Sequence, residues 1–308
     1  MSGKQSLFSQ LRLENIKQPG ALALPDSDDK RVFIVTERLI TEGSATRIAL
    51  MGDKTVLFSN AKTFGIDLTP IADRIDVYPA DKPETALSIA ADLLSKGVVQ
   101  AVVAGNRSTT AQVIRAGISG VGLSPGVRTV SGSFIMNKDG EKVYLYADCG
   151  VVIAPTEKQL IDIASESVKT WNCLFPDIPP VVAFLSFSTK GSATHEQQEK
   201  IASVAAKFKE LFPDIESDGE FQFDAAFDEA IGSAKAPGSK VPGRANCIIF
   251  PDLNSGNIAY KITQRLAGFQ AYGPILQGLA KPFCDLSRGS TVEDIIASCY
   301  INLKKARL

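Results

Sequence analysis

AVVAGNRSTTAQVIRAG, residues 101–117, reads as one strand, one loop and one helix. Ala101–Ala104 form a short apolar run with two β-branched members, Gly105 interrupts it, and Ser108, Thr109 and Thr110 offer hydroxyls where an apolar helical period begins. Parallel strands need a crossover connection, so a strand that runs through a short loop into a helix is the building unit of a parallel sheet.

Outward from this unit the alternation repeats. RVFIVT (31–36), TRIALMG (46–52) and TVLFS (55–59) upstream, and VVAFLSF (181–187) and CIIFPDL (247–253) downstream, read as strands separated by helical patterns. Between Ile75 and Val102 a crossover helix is predicted: Pro83 near its start, Ala86, Ile89, Ala90, Leu93 and Leu94 on one face, Gly97 past its end. Thr156 and Gln159 fit a capping box opening a second helix, and a third is predicted from about His195 to Leu211. FPDIPP (175–180) is a rigid connector, and no flexible linker, internal repeat or low-complexity stretch occurs. The predicted fold is α/β with largely parallel sheets, and 308 residues suggest two domains, expected to pack closely around a cleft.

Composition narrows the function. Lys+Arg number 33 and Asp+Glu 34, a formal net charge of −1, without the basic excess of a nucleic-acid or membrane-surface binder. A single histidine, His195, excludes multi-histidine metal sites. Cys149, Cys173, Cys247, Cys284 and Cys299 form no Cys-x-x-Cys pair and are expected as reduced, mostly buried thiols. The opening MSGKQSLFSQLRLENIKQPG is charged every few positions and no apolar run reaches the roughly 18 residues of a spanning helix, so no membrane partner and a cytoplasmic location are expected.

Three segments carry candidate chemistry. In the first, residues 101–117, Ser108, Thr109 and Thr110 at a helix start, with Arg115 one to two turns on, suit a phosphate, and equally suit a capped helix with a surface arginine. In IIFPDLNSGNIAYKITQR (248–265) a strand precedes a loop with Asn254, Gly256 and Asn257, which can present N–H groups to phosphate or make an ordinary turn and cap. Neither a Walker A loop nor a G-x-G-x-x-G fingerprint is present. In KPFCDLSRGSTVEDII (281–296) Arg288 offers a planar fork to an anion and Ser287 a hydroxyl beside it. Ser290 and Glu293 fit a capping box there, which leaves Asp294 as either a partner of the helix dipole or a functional carboxylate.

These segments, together with SGSFIM (131–136), YADCGVVIAPT (146–156), LSFSTKGSA (185–193), QFDAAF (222–227), AKAPGSKVPGRA (234–245), FPDLNSGN (250–257), GPILQGLAKP (273–282) and DLSRGSTVEDI (285–295), resemble the phosphate acetyltransferases of the phosphate acetyl/butyryltransferase family. DKRV (29–32) and TEGSATRIALMG (41–52) look like that family's opening. The resemblance implies two α/β domains of the isocitrate/isopropylmalate dehydrogenase-like kind, one built from 1–127 plus 275–308 and the other from 128–274, with an interdomain cleft, in a homodimer. It implies reversible acetyl transfer between CoA and inorganic phosphate through a ternary complex, with no metal and no cofactor, CoA being a substrate. Partners are thus the small molecules CoA, acetyl phosphate and phosphate.

By the same resemblance Asp294 is the base, Arg288 binds the phosphoacyl group and Ser287 hydrogen-bonds the reacting groups, while Arg115 is a further anion contact. A thiol and an aspartate at their ordinary values differ by about 4.6 pH units, roughly 6 kcal/mol against proton transfer. Desolvation of Asp294 is the expected means of closing that gap. GNRSTT (105–110) departs from the Gly-Ala-Val-His-Thr-Thr of many members, and the stretch between Asp76 and Leu94 is shorter than in longer ones. The competing readings are a propionyl or butyryl transferase, an oxidoreductase on the related fold, and a non-catalytic binding protein.

Overall fold

The computed structural model describes residues 6–139 and 142–307; the first five residues of the charged opening segment lie outside the described residues. The chain forms two compact units, residues 1–125 with 272–308 and residues 126–271.

The first unit runs α1 (Leu7–Lys17), β1 (Gly20–Leu24), α2 (Lys30–Thr41), β2 (Ala45–Met51), α3 (Lys54–Thr63), β3 (Ile75–Tyr78), α4 (Pro83–Ser95), β4 (Ala101–Ala104) and α5 (Thr110–Val121). The second runs β5 (Ser131–Asn137), β6 (Tyr144–Ala147), α6 (Glu157–Leu174), β7 (Val181–Leu185), α7 (Glu196–Leu211), β8 (Glu216–Phe221), α8 (Phe223–Phe227), α9 (Glu229–Lys235), β9 (Cys247–Ile249) and α10 (Leu253–Leu266). The chain returns to the first unit within β10 (Gln270–Gln277) and ends with β11 (Phe283–Asp285) and α11 (Val292–Lys305).

The first sheet has the order β11-β4-β1-β2-β3 and is parallel throughout. Its strands are buried on both faces, as βαβ crossovers require: Leu22, Ala23, Leu24, Ile48, Leu50 and Val102 are all close to fully buried. Phe33, Val35 and Leu39 of α2, Leu87, Ala90 and Leu94 of α4, and Ile295, Ile296 and Cys299 of α11 supply the cover. In the second unit β6, β9, β7 and β8 are parallel in that spatial order, and β5 joins β6 antiparallel. The fold is therefore α/β with largely parallel sheets. Among the described residues no helix is long and apolar enough to cross a membrane.

Several local expectations hold. Pro83 starts α4, Thr156 and Gln159 form both arms of a capping box on α6, and His195 caps α7 by accepting the Gln197 N–H on Nδ1 at 3.1 Å. All five cysteines are buried and none is in a disulfide.

Two do not. RVFIVT lies inside α2 and TVLFS inside α3. The β-branched content of RVFIVT favours a strand locally, but Asp29 caps the segment. Its buried positions, Val32, Phe33, Val35, Thr36, Leu39 and Ile40, fall on one helical face, so tertiary burial overrides propensity. Asp53 caps α3 in the same way, accepting the Val56 N–H at 2.9 Å, and Leu57 and Ala61 face inward. The true first strand is GALAL (20–24), whose small residues carry little β signal.

Trp171, the chain's one tryptophan, is fully buried in the second unit and donates its indole N–H to the Ile178 carbonyl at 2.7 Å. Replacing Trp171 with Phe should cost about 1–3 kcal/mol, through lost volume and one unsatisfied carbonyl. A denaturant titration followed by circular dichroism measures it, and an unchanged midpoint would contradict this packing.

Candidate active site

In the first sheet the chain runs from β1 outward to β2 and β3, then returns to place β4 and β11 on the other side of β1. The reversal falls at the carboxyl ends of β1 and β4, the position where open parallel sheets hold ligands. Three loops leave the sheet there, after β1, β4 and β11.

Asp26, in the loop after β1, is buried and acts as the anchor. Its Oδ2 accepts the N–H groups of Gly105 (2.7 Å), Asn106 (2.8 Å) and Arg107 (3.4 Å), and its Oδ1 accepts the Ser108 hydroxyl (2.9 Å). The β4 loop thus winds around one carboxylate. Gly105 has φ +108°, and a Cβ there would sit 2.4 Å from the Leu286 nitrogen and 2.5 Å from Asp285 Oδ1, so only glycine lets the loop lie against the end of β11.

Asp285, also buried, closes the junction by accepting the Thr110 hydroxyl on Oδ2 at 2.7 Å. Its Oδ1 has no partner among the described residues. Burial, with the nearby Asp26 charge adding to it and the Thr110 hydrogen bond opposing, pushes the Asp285 carboxyl up to about 6.

The β11 loop then presents the candidate residues. Ser287, Arg288 and Gly289 are exposed, in a turn closed by the Ser290 N–H donating to the Ser287 carbonyl at 2.9 Å. The Ser287 hydroxyl accepts the Gly289 N–H at 3.3 Å. The Arg288 guanidinium makes no hydrogen bond or ion pair among the described residues and stands ready for an anion.

The cap of α11 differs from the expected one by a single position. Thr291 rather than Ser290 is the N-cap, and Asp294 rather than Glu293 closes the box. Asp294 Oδ2 accepts the Thr291 N–H (2.8 Å) and hydroxyl (2.9 Å), while the Asp294 N–H donates to Thr291 Oγ1 (3.2 Å). Glu293 instead pairs with Arg38 of α2. Asp294 is partly buried; its Oδ2 is committed to the cap, and its Oδ1 has no partner among the described residues.

The other predicted residues fall in three places. Ser108, Thr109 and Thr110 lie beside the β11 loop, but their hydroxyl protons are already donated, to Asp26, Gln112 and Asp285. What that loop leaves for an anion is the first-turn N–H groups of α5 and its positive dipole end. Arg115, exposed and without an ion pair among the described residues, lies two turns on in a cavity of about 440 Å³ between α4 and α5, beside Glu84 and Asp92. Asn254, Gly256 and Asn257 lie in the second unit. Asn254 lines a cavity of about 600 Å³ at the carboxyl ends of β7 and β9, with Phe187, Phe223, Ile153 and Lys200. Asn257 donates to the Cys149 carbonyl at 3.1 Å. A Cβ on Gly256 would lie 2.1 Å from the Asp148 carbonyl oxygen, which explains that glycine by helix packing.

Asp26 and Asp285 carry no mark in the sequence. Asp26 follows a strand whose small residues hide it, and Asp285 reveals itself only once β11 is seen to pair with β4. Among the described residues no group of three or more His, Cys, Asp or Glu side chains could hold a metal ion.

Residues 80–303 match the family described as phosphate acetyl/butaryl transferase. A phosphate acetyltransferase of Paracoccus denitrificans is 39% identical over 303 residues, 93% of this chain and 95% of that protein. The crystal structure of a phosphotransacetylase from Streptococcus pyogenes superposes with a TM-score of 0.89 at 34% identity, covering 98% of both chains. A 4-hydroxythreonine-4-phosphate dehydrogenase from Klebsiella pneumoniae, at 11% identity and a TM-score of 0.59 over 94% of this chain and 100% of that one, shares the fold alone.

Two predictions test the geometry. Because the fold raises the Asp285 carboxyl, this group's contribution to stability falls as pH rises from the usual aspartate value of 3.8 to about 6 and no further beyond it. Asp285→Asn should gain on the wild type across that window, by up to about 3 kcal/mol. Thermal melts from pH 4 to 8 measure it, and parallel curves would refute the assignment. Gly256→Ala should cost about 1–3 kcal/mol through overpacking against Asp148; a melting temperature equal to that of the wild type would contradict the contact.

Proposed function

We infer function from kinship: this chain belongs to the phosphate acetyl/butaryl transferase family. It is a phosphate acetyltransferase, an acyltransferase that moves an acetyl group reversibly between CoA and inorganic phosphate. The observation that carries the assignment to particular atoms is the exposed Ser287–Arg288 turn, one loop away from a carboxylate with an open oxygen on Asp294.

In the proposed reaction CoA sulfur attacks the carbonyl carbon of acetyl phosphate, forming a C–S bond. The C–O bond to phosphate breaks and phosphate leaves with the bonding electrons. The thiol proton passes to Asp294 Oδ1, the oxygen the Thr291 cap leaves open, and from there to the departing phosphate. The cap fixes the carboxylate by holding Oδ2. The Arg288 cation favours thiolate and stabilises charge on the tetrahedral intermediate. Ser287 hydrogen-bonds the reacting groups.

N–H groups at the start of α5, behind Ser108, Thr109 and Thr110, and the Arg115 guanidinium form the anion contacts of the substrates. In the second unit Asn254 and Asn257, with Gly256 allowing the close packing, shape the contribution of α10. CoA is a substrate and no resident cofactor enters the proposal. Supporting a homodimer, α10 exposes Ile258, Ile262 and Leu266, an apolar stripe at i, i+4 and i+8 that a second copy would cover. A cytoplasmic location fits an enzyme of CoA and acetyl phosphate.

Thioester formation from acetyl, propionyl and butyryl phosphate with CoA, for wild type and Asp294→Asn, tests the whole reading. Expected are fastest turnover with acetyl phosphate and a loss of about 10²–10⁴-fold in kcat for the variant. Near-normal turnover by Asp294→Asn would remove the base assignment, and a preference for butyryl phosphate would move the acyl specificity.

A further inference from the structure

Arg31 touches none of the groups assigned to the chemistry, yet its whole side chain is spent on holding the turn that carries them. α2 opens at Asp29, whose Oδ1 accepts the Arg31 backbone N–H at 2.8 Å, so the capping carboxylate sits beside the Arg31 side chain. The same carboxylate grips one edge of the guanidinium, from Nε to Oδ1 at 3.0 Å and from Nη2 to Oδ2 at 2.6 Å. With that edge fixed, Nη1 points at the β11–α11 loop and donates to the carbonyl oxygens of Arg288 (3.0 Å) and Ser290 (2.6 Å).

These two carbonyls flank Gly289, the one residue of the turn without a side chain to hold it. The turn itself has little internal support: the Ser290 N–H on the Ser287 carbonyl, and a long 3.3 Å contact between the Gly289 N–H and the Ser287 hydroxyl. Among the described residues the Arg288 side chain has no partner to aim it. Two turns further along α2, Arg38 pairs with Glu293 in the first turn of α11. One face of α2 thus fastens the loop before and after Thr291. The Arg38 pair is largely exposed and contributes little, whereas the Arg31–Asp29 pair is mostly shielded, with side chains 27% and 12% exposed.

We propose that Arg31 is a positioning residue for acetyl transfer, setting the main chain on both sides of Gly289 and through it the aim of the Arg288 guanidinium. This rests on the assignment of Arg288 above. Arginine suits the task because three fixed directions are needed at once, one toward a carboxylate and two toward carbonyls, and a planar fork provides them where a lysine ammonium is a point charge on a flexible stem. A displacement of about 1 Å in a reacting group can cost on the order of 10²-fold in rate.

The test is steady-state acetyl-CoA formation by the full chain for Arg31→Gln and Arg31→Lys, each alone and in an Arg288→Lys background. Arg31→Gln should lower kcat about 10- to 100-fold with KM for CoA moving less than about threefold, and Arg31→Lys should fall between it and the wild type. In the Arg288→Lys background, where no planar fork remains to be aimed, the further loss should shrink to under about threefold. An equal fold-loss in both backgrounds, or a kcat for Arg31→Gln within about twofold of the wild type, overturns the proposal. Melting curves identify a variant that fails to fold; should Arg31→Gln do so, Arg31→Lys, which keeps the charge and the Asp29 pair, carries the same comparison. A wild type that makes no acetyl-CoA, or an Arg288→Lys chain with full turnover, would instead remove the functional reading on which the inference stands.

Discussion

One buried carboxylate, Asp26, organises the candidate site. It gathers three consecutive backbone N–H groups and a hydroxyl from the loop after β4, and this lets Gly105 lie flat against the backbone at the end of β11. A buried charge is tolerated only where it is hydrogen-bonded, and Asp26 meets that condition with donors from a segment distant in sequence. The register of β11 on β4, Asp285 opposite Ala104, then brings the Ser287–Arg288 turn next to the start of α5. The placement of this exposed turn therefore depends on a polar contact beneath it.

The carboxylates of this unit have separated duties. Asp26 and Asp285 are buried and build the junction, Asp29 caps α2 and braces Arg31, and Asp294 caps α11 while keeping one oxygen open. Asp29 is held below the usual range despite burial, which opposes ionisation, because its hydrogen bonds to Arg31 outweigh that cost; Asp285, with one hydroxyl and a neighbouring acid, goes the other way. The difference lies in donor count and charge, since both residues are aspartates at strand or helix ends of one sheet edge.

Much of this was legible from sequence where a short-range rule controls the outcome. Pro83 and the stripe behind it, the Thr156–Gln159 box and the strand at Ala101–Ala104 depend on a few adjacent residues. RVFIVT failed because its β-branched residues are packed as one face of α2, a tertiary fact, and GALAL was silent because small residues carry no period. The cap of α11 shifted by one because Ser290 and Thr291 both suit an N-cap and both Glu293 and Asp294 suit its third position. In the fold Glu293 reaches Arg38 on another helix, a partner that no local pattern announces. Residues that hold a partner far along the chain, such as Arg31 on the Arg288 carbonyl and Asp26 on the Gly105 N–H, have no local signature at all.

The five buried cysteines have a practical bearing on how such an enzyme is followed. Every one is buried, and burial drives the Cys284 thiol up to about 12 and that of Cys247 above its usual range. A thiol reagent reacts with thiolate at an accessible sulfur, so in the folded protein all five are hidden from it. Colour developed by a disulfide dye in an assay mixture then reports the coenzyme's sulfur alone, and protein sulfur enters the reading only as the chain unfolds.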